Sequence, residues 1–134
     1  DGMDIAVCSV NLKKMTLAFS GAMLRIVMIR DGIAKEIKGD RFSVSRNTPL
    51  ESNFTNHTID LVKGDIFYLF TDGYADQFGV QKHKKFMYKR LEKLLVDIHT
   101  KEIHEQKNTL ENIHKEWKGP LEQIDDILVI GFRI

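Results

Sequence analysis

The chain has 134 residues, 43% of them hydrophobic and 29% charged, which is the size and composition of one globular domain. Its formal net charge of +1 excludes partners that are recognised by overall charge, so we expect neither nucleic acid nor a membrane surface to bind it. The sequence has no apolar run that could span a bilayer, no signal segment and one cysteine, Cys8, which predicts a cytoplasmic protein with a buried, unpaired thiol.

The first forty residues predict an antiparallel meander of strands. The first strand is apolar on both parities, which predicts a strand that is covered on both faces. Gly21 interrupts the apolar pattern after the second strand, and the Asp31-Gly32 pair is a strong hairpin signal between the third and the fourth. The four predicted strands cover residues 4–11, 16–20, 24–30 and 33–37.

The stretch from residue 64 to residue 79 organises the middle of the sequence. Residues 39–56 before it have no periodicity and predict a surface connection, whereas residues 58–62 alternate like a strand. A turn at Lys63-Gly64 then leads to five consecutive apolar residues, 66–70, which predict a buried strand antiparallel to the preceding one.

Two helices and a last strand are predicted in the C-terminal half. Apolar residues recur with helical spacing in two segments, and the second ends at Gly119-Pro120, where both residues are stop signals. Residues 127–134 then predict a buried strand. This order of elements predicts an α+β fold with antiparallel sheet and helices on one side. The two helical stripes are Met87, Leu91, Leu94, Leu95 and Ile98, and Ile103, Leu110, Ile113 and Trp117.

Four acids flank the two buried strands of this half. Asp72 and Asp76 follow the strand over 66–70, and Asp125-Asp126 precede the last one. If these strands are antiparallel neighbours, the acids converge at one sheet edge, and a hard divalent cation such as Mg²⁺ or Mn²⁺ neutralises them. The alternative is that Asp125-Asp126 are solvated turn residues that never approach Asp72, and the spacing leaves both open. Gly73 removes a side chain where a bound ion or solvent must reach the Asp72 carboxylate.

A basic run without an interleaved acid lies next to the acidic loop. Such a run is usually a solvated helix start, but beside a phosphate-handling site it also suits a phosphorylated partner. No phosphate-binding glycine loop and no covalent nucleophile motif accompany it. The run consists of Lys82, Lys84, Lys85, Lys89 and Arg90.

These motifs resemble a known family of enzymes. Gly64-Asp65 with its apolar run and Thr71-Asp72-Gly73, followed by Asp125-Asp126 before an apolar strand, are similar to the last two signature motifs of the SpoIIE-like branch of the protein phosphatase 2C (PPM) family. Residues 1–6, 74–79 and 116–119 look like those of bacterial members that are carried behind sensory or signalling domains.

The resemblance implies a PPM-like αββα sandwich of two antiparallel sheets with helices outside, and hydrolysis of phosphoserine or phosphothreonine on a protein. Two Mn²⁺ or Mg²⁺ ions would activate a water for in-line attack on phosphorus. By position, Asp72 and Asp125 match metal ligands of the family, and Asp126 is a ligand or supports one. The implied substrate is a phosphorylated protein of the anti-sigma-factor antagonist type.

The sequence also departs from the family pattern. The family's early acid and its Asp-Gly-His-Gly-like segment have no counterpart, so residues 1–134 are expected to be one domain that is the C-terminal portion of a phosphatase domain, with weak metal binding and little turnover alone. An unpaired sheet edge in such a fragment predicts a homodimer.

Two other functions are open to this sequence. One is a phosphatase-like binding or regulatory module without catalysis. The other, a receiver-like domain with Asp72 as phosphoacceptor, ranks last because it needs alternating strands and helices.

Overall fold

Nine strands and three helices form the part of the chain that the computed structural model describes, residues 2–49, 51–81 and 83–134. Lys82 of the basic run lies outside the described residues. The helices are α1 (Gly73–Asp76), α2 (Tyr88–Ile98) and α3 (Ile103–Lys118). The strands are β1 (Gly2–Met3), β2 (Ile5–Asn11), β3 (Thr16–Ala22), β4 (Arg25–Arg30), β5 (Ile33–Lys38), β6 (Val44–Ser45), β7 (His57–Asp60), β8 (Ile66–Phe70) and β9 (Val129–Arg133).

Two antiparallel sheets pack face to face, and the helices cover one of them. The smaller sheet has the order β2-β3-β7 and the larger one β5-β4-β8-β9, while β1 and β6 form a separate pair. One core lies between the sheets around Phe19, Ile26 and Phe67, and the other lies between the larger sheet and the helices around Tyr68 and Leu91. This arrangement confirms the predicted α+β class with antiparallel sheets.

Strand β8 is one of the two inner strands of the larger sheet. It pairs with β4 on one side and β9 on the other, and Ile66, Phe67 and Tyr68 are at most 1% exposed. Because alternate residues enter the two cores, every side chain of the strand is apolar or aromatic. Burying each of these side chains contributes roughly 1.5–3 kcal/mol, so β8 holds the loop that follows it in a fixed position.

The predicted meander is wrong, because its two hairpins lie in different sheets. Strand β3 pairs with β2 and β7, and β4 pairs with β5 and β8. Gly21 belongs to β3 rather than interrupting it, and the chain crosses between the sheets after Ala22. Likewise β7 pairs with β3 and not with β8. Alternation along a strand reports which face is buried, but it does not report which strand lies alongside.

Two strands that the sequence predicted as covered are edge strands. Strand β2 has one neighbour, and its Val7 is 57% exposed. Strand β9 has one neighbour as well; its Ile130 is 48% exposed, and Leu128, directly before the strand, is 55% exposed. Both strands therefore present apolar side chains that nothing in the described part of the chain covers.

The two long helices lie where the apolar spacing predicted them. Leu91, Leu95 and Ile98 of α2 are buried against the sheet, but Met87 precedes the helix with a φ of 76° and is 59% exposed. The short α1 was predicted as a loop, because one helical turn carries too few residues for a periodic signal. Within the described residues, no helix has the length and apolarity that crossing a bilayer requires.

Candidate metal centre

The candidate site lies at the end of the larger sheet where β8 finishes and β9 begins. These strands are antiparallel neighbours, with Phe70 opposite Val129, so Asp72 and Asp125 reach the same edge, which is the first of the two arrangements that the spacing left open. Thr71 joins the two segments, because its backbone N–H donates to the Leu128 carbonyl and its Oγ1 accepts from the Leu128 N–H, both at 3.0 Å. The Thr71 hydroxyl also donates to the Asp126 carbonyl at 3.0 Å.

Thr71 is a site residue that sequence reasoning missed. The sequence identified it only as the first residue of the Thr71-Asp72-Gly73 motif and gave it no role of its own, although a hydroxyl between a buried strand and an acid can bind the backbone of a neighbouring segment. In the structure this side chain fixes the position of residues 126–128 relative to the end of β8.

Gly73 lies where the two segments approach most closely. A Cβ atom at this position would lie 2.4 Å from the Asp126 carbonyl oxygen and 3.2 Å from the Ile127 side chain. Packing therefore requires a glycine at position 73, because the backbone of the segment before β9 occupies the space that a side chain would need. Its predicted part in binding a cofactor stays a prediction.

The carboxyl groups of Asp72 and Asp125 come together. Partial burial raises the pKa of Asp72, the negative charges of Asp125 and Asp76 raise it further, and the Asp125 carboxyl lies within hydrogen-bonding reach. The Asp126 backbone N–H donates to Asp125 Oδ1 at 2.7 Å, which orients that carboxylate, whereas the Asp126 side chain is exposed. Asp126 thus supports Asp125 through its backbone.

Asp76, the fourth acid of the predicted cluster, has a cation beside it. Its Oδ1 lies 3.0 Å from Lys85 Nζ, and its backbone N–H donates to the Asp72 carbonyl at 2.9 Å in the single turn of α1. Lys85 thus offsets the charge of Asp76, while in the described part of the chain no cation pairs with Asp72 or Asp125.

The donor set fits part of the coordination sphere of a hard cation. Two adjacent carboxylates suit Mg²⁺ or Mn²⁺, because Mg²⁺ is commonly held by one or two protein carboxylates with water and phosphate oxygens as its remaining ligands. Among the described residues, no group of three acidic, histidine or cysteine side chains is placed to hold a metal ion. Asp72 and Asp125 therefore offer one side of a site and leave the other side open.

We expect Asp72→Asn to stabilise the chain in the presence of EDTA. The raised pKa means that the folded state disfavours the ionised carboxyl, so the neutral amide relieves repulsion from Asp125 and Asp76. Because Asp72 is exposed and screened, the gain in unfolding free energy should be about 0.5 kcal/mol or less. Urea denaturation measures it, with Asp97→Asn as the control, since Asp97 pairs with Lys93 at 2.9 Å and its loss should not stabilise. A stability loss for Asp72→Asn would contradict the repulsion.

Solved phosphatase domains have the same fold. The SiaA-PP2C domain of Pseudomonas aeruginosa matches with 30% identity and a TM-score of 0.90, over 99% of this chain and 52% of that one. The SpoIIE phosphatase domain of Bacillus subtilis, also solved after presoaking with Mn, matches with 14% identity and a TM-score of 0.72, over 98% and 58% of the two chains. The Mycobacterium tuberculosis serine/threonine phosphatase PstP/Ppp matches with 18% identity and a TM-score of 0.64, over 97% and 59%.

The chain spans between about half and three fifths of the length of these three structures. No family model matches its sequence, and no curated protein matches it either.

Proposed function

We propose that this chain is the C-terminal part of a metal-dependent protein serine/threonine phosphatase domain. The proposal starts from the family: the chain belongs to the PP2C (PPM) phosphatases and has SpoIIE-type domains among its structural neighbours. The observation that carries the proposal is the placement of Asp72 and Asp125 at the shared end of β8 and β9, where partial burial and the negative charge of Asp125 raise the pKa of Asp72. Two carboxylates without a paired cation can supply part of the coordination sphere of a divalent ion.

In this proposal Asp72 and Asp125 hold Mn²⁺ or Mg²⁺, and Asp126 orients Asp125 or adds a ligand. The bound ions would supply an activated water for hydrolysis of a phosphoserine or phosphothreonine ester. The chain's own residues provide the geometry: β8 fixes Asp72, Thr71 fixes the segment that carries Asp125, and Gly73 lets that segment approach.

We further propose that this chain is part of a longer protein, which also contains the rest of the phosphatase domain. That remaining part of the domain would supply the other metal ligands on the open side of the site and would cover the exposed Leu128 and Ile130 at β9. Alone, the chain should bind metal weakly and show little turnover. Its free edge at β9 makes a homodimer the expected state of the isolated chain.

The proposed substrate is a phosphorylated protein of the anti-sigma-factor antagonist type, as the resemblance to SpoIIE-like phosphatases implies. A cytoplasmic location and an upstream sensory or signalling domain belong to the same proposal. No part of it needs contact with a membrane or with nucleic acid.

Thermal unfolding with and without MnCl₂ tests the metal site. At ten times its dissociation constant, an ion that binds only the folded state adds about 1.4 kcal/mol, so the midpoint should rise with MnCl₂. We expect Asp72→Asn and Asp125→Asn to abolish this rise and Asp97→Asn, at an exposed acid on α2, to retain it. A p-nitrophenyl phosphate assay on the same samples should show little turnover. An unchanged midpoint up to 20 mM MnCl₂ would contradict the metal site.

A non-catalytic, phosphatase-like binding module is the second candidate. The observation that favours it is the absence of a third metal-binding side chain from the described part of the site. A chain that binds a phosphorylated peptide equally well in EDTA and in MnCl₂ would support this module over the enzyme.

A further inference from the structure

The groove between α2 and α3 joins the basic run to an aromatic surface. It has a volume of about 440 Å³ and opens on the outer side of the helices. Phe86, Leu94, Ile113 and Trp117 provide apolar wall, and Arg90 and Lys93 bring positive charge into it. We call it the Arg90 groove.

Two aromatic rings hold the Arg90 guanidinium in place. Its Cζ lies 4.6 Å from the centroid of the Trp117 ring and 5.5 Å from that of Phe86, and the two rings meet edge to face at 5.5 Å. Contact with ring faces attracts a cation while its N–H groups stay available. The residue is exposed, and in the described part of the chain no carboxylate pairs with it.

The aromatic surface beneath Arg90 is itself fixed. Trp117 Nε1 donates to the Gln77 carbonyl at 2.8 Å, and the ring lies so close to Gly79 that a Cβ there would be 2.4 Å from Cε2. The Phe86 N–H donates to the same carbonyl at 2.9 Å. Arg90 is therefore preorganised, and little conformational entropy is lost when its guanidinium binds an anion.

Arg90 is the cation of the described groove lining that is free to bind an acidic ligand. Lys93 is neutralised by Asp97 at 2.9 Å and Lys85 by Asp76 at 3.0 Å. Among the described lining residues, Arg90 is the cation without an ion pair and Glu116 is the acid without one; Lys84 and Lys89 of the basic run also have no ion pair but do not line the groove. Arg90 thus offers an unpaired guanidinium beside an apolar wall.

An ion pair joins the segment after the candidate metal centre to the segment that leads into the groove. Asp76, one helical turn after Asp72, pairs with Lys85, and Lys85 directly precedes Phe86 of the groove wall. The Asp76–Lys85 pair thus joins the turn that follows Asp72 to the segment that leads into Arg90. We expect one bound polypeptide to reach both when its acidic residues lie a few positions from its phosphorylated residue.

We infer that the Arg90 groove binds an acidic segment of the phosphorylated protein substrate. A glutamate or aspartate of that segment accepts a two-bond contact from the Arg90 guanidinium, and a neighbouring apolar residue packs on Leu94 and Ile113. The groove thus provides affinity and selects acidic sequences, while Asp72 and Asp125 hold the phosphate end through metal. This inference rests on the proposed function.

Fluorescence of Trp117, the chain's one tryptophan, reports occupation of the groove. The probe is a synthetic peptide with three glutamates, one leucine and one phosphoserine, titrated into the whole chain in EDTA. A second peptide has glutamine in place of each glutamate. We expect the glutamate peptide to change the Trp117 emission and to bind at least tenfold more tightly than its glutamine counterpart, with affinity falling as NaCl is raised.

Arg90→Gln, which keeps most of the side-chain stem, should weaken binding of the glutamate peptide about tenfold. Lys14→Gln is the matched control, because this exposed cation lies in the turn between β2 and β3, at the opposite end of the sandwich, and should leave the affinity unchanged. Arg90→Lys should fall between wild type and Arg90→Gln, since it keeps the charge and loses the planar stack. Circular dichroism of each variant verifies folding.

Equal affinities of wild type and Arg90→Gln, or of the two peptides, would overturn the inference. The proposed function fails separately: MnCl₂ should strengthen binding of the phosphorylated peptide over its serine version, and Asp72→Asn should abolish that gain while the Arg90-dependent affinity remains. Loss of the Mn²⁺ gain in wild type, with the Arg90 effect intact, would reject the metal site and retain the groove.

Discussion

Asp65→Asn should lower the free energy of unfolding by about 3 kcal/mol, because it breaks a buried ion pair at the start of β8. Asp65 is 1% exposed and receives two hydrogen bonds from Arg30, from Nε at 2.8 Å and from Nη2 at 2.7 Å. The Val62 N–H donates a third at 2.8 Å. The amide of the Asp65→Asn variant would carry no negative charge to pair with the Arg30 guanidinium, and at least one of these three hydrogen bonds would lose its acceptor.

The pH dependence of this effect has a definite sign. Hydrogen bonds from Arg30 lower the pKa of Asp65, supported by the Val62 N–H and by the Arg30 charge, and outweigh the opposing effect of burial. A lowered pKa stabilises the folded state above the ordinary carboxyl pKa, and this contribution is lost as the pH falls through the lowered value. The difference between wild type and Asp65→Asn should therefore be largest near neutral pH and narrow in acid.

Urea denaturation at pH 7 and at several values below pH 4 measures both effects. The control is Asp60→Asn, whose side chain is exposed beside the same arginine and should matter by less than about 0.5 kcal/mol. A loss below 1 kcal/mol for Asp65→Asn, or a difference that widens in acid, would show that the Arg30 pair does not stabilise the fold.

Asp65 and Asp72 lie just beyond opposite ends of β8, and the sequence could predict where this strand lies. The continuous apolar run of 66–70 identified β8, and the acid after it could only emerge at that strand's end. Asp72 converges with Asp125 because β9 is the antiparallel neighbour of β8. Local patterns thus located β8, β9 and the acids beside them, whereas the sandwich was implied by the family resemblance and the convergence of Asp72 with Asp125 needed the strand pairing.

What the sequence could not predict depends on which elements lie alongside each other. The strand β7 alternates like a partner of β8, yet it pairs with β3, since the pattern reports a buried face and not a neighbour. Val7 and Ile130 are apolar and exposed for the same reason, because the strands that carry them lie at sheet edges. The aromatic support of Arg90 also needed the fold, because Phe86 and Trp117 are 31 positions apart in the sequence.

The close approach at Gly73 was equally invisible in the sequence, and it yields the second large effect. Gly73→Ala should lower the free energy of unfolding by about 2–3 kcal/mol and abolish the Mn²⁺-induced rise in the thermal midpoint. The added Cβ would lie 2.4 Å from the Asp126 carbonyl oxygen, a backbone atom that Thr71 holds by a hydrogen bond. Relief of this clash requires the segment carrying Asp125 to move away from Asp72.

Gly32→Ala is the control for Gly73→Ala, because it separates a steric clash from the general cost of replacing a glycine. Gly32 has a φ of 73° in the turn between β4 and β5, and a Cβ there would have no described atom within 4 Å. Its replacement should cost about 1 kcal/mol through backbone strain alone and leave the Mn²⁺ response intact. If Gly73→Ala matches this control in both measurements, the β9 segment yields easily, and the spacing of the two carboxylates is not set by the contact at Gly73.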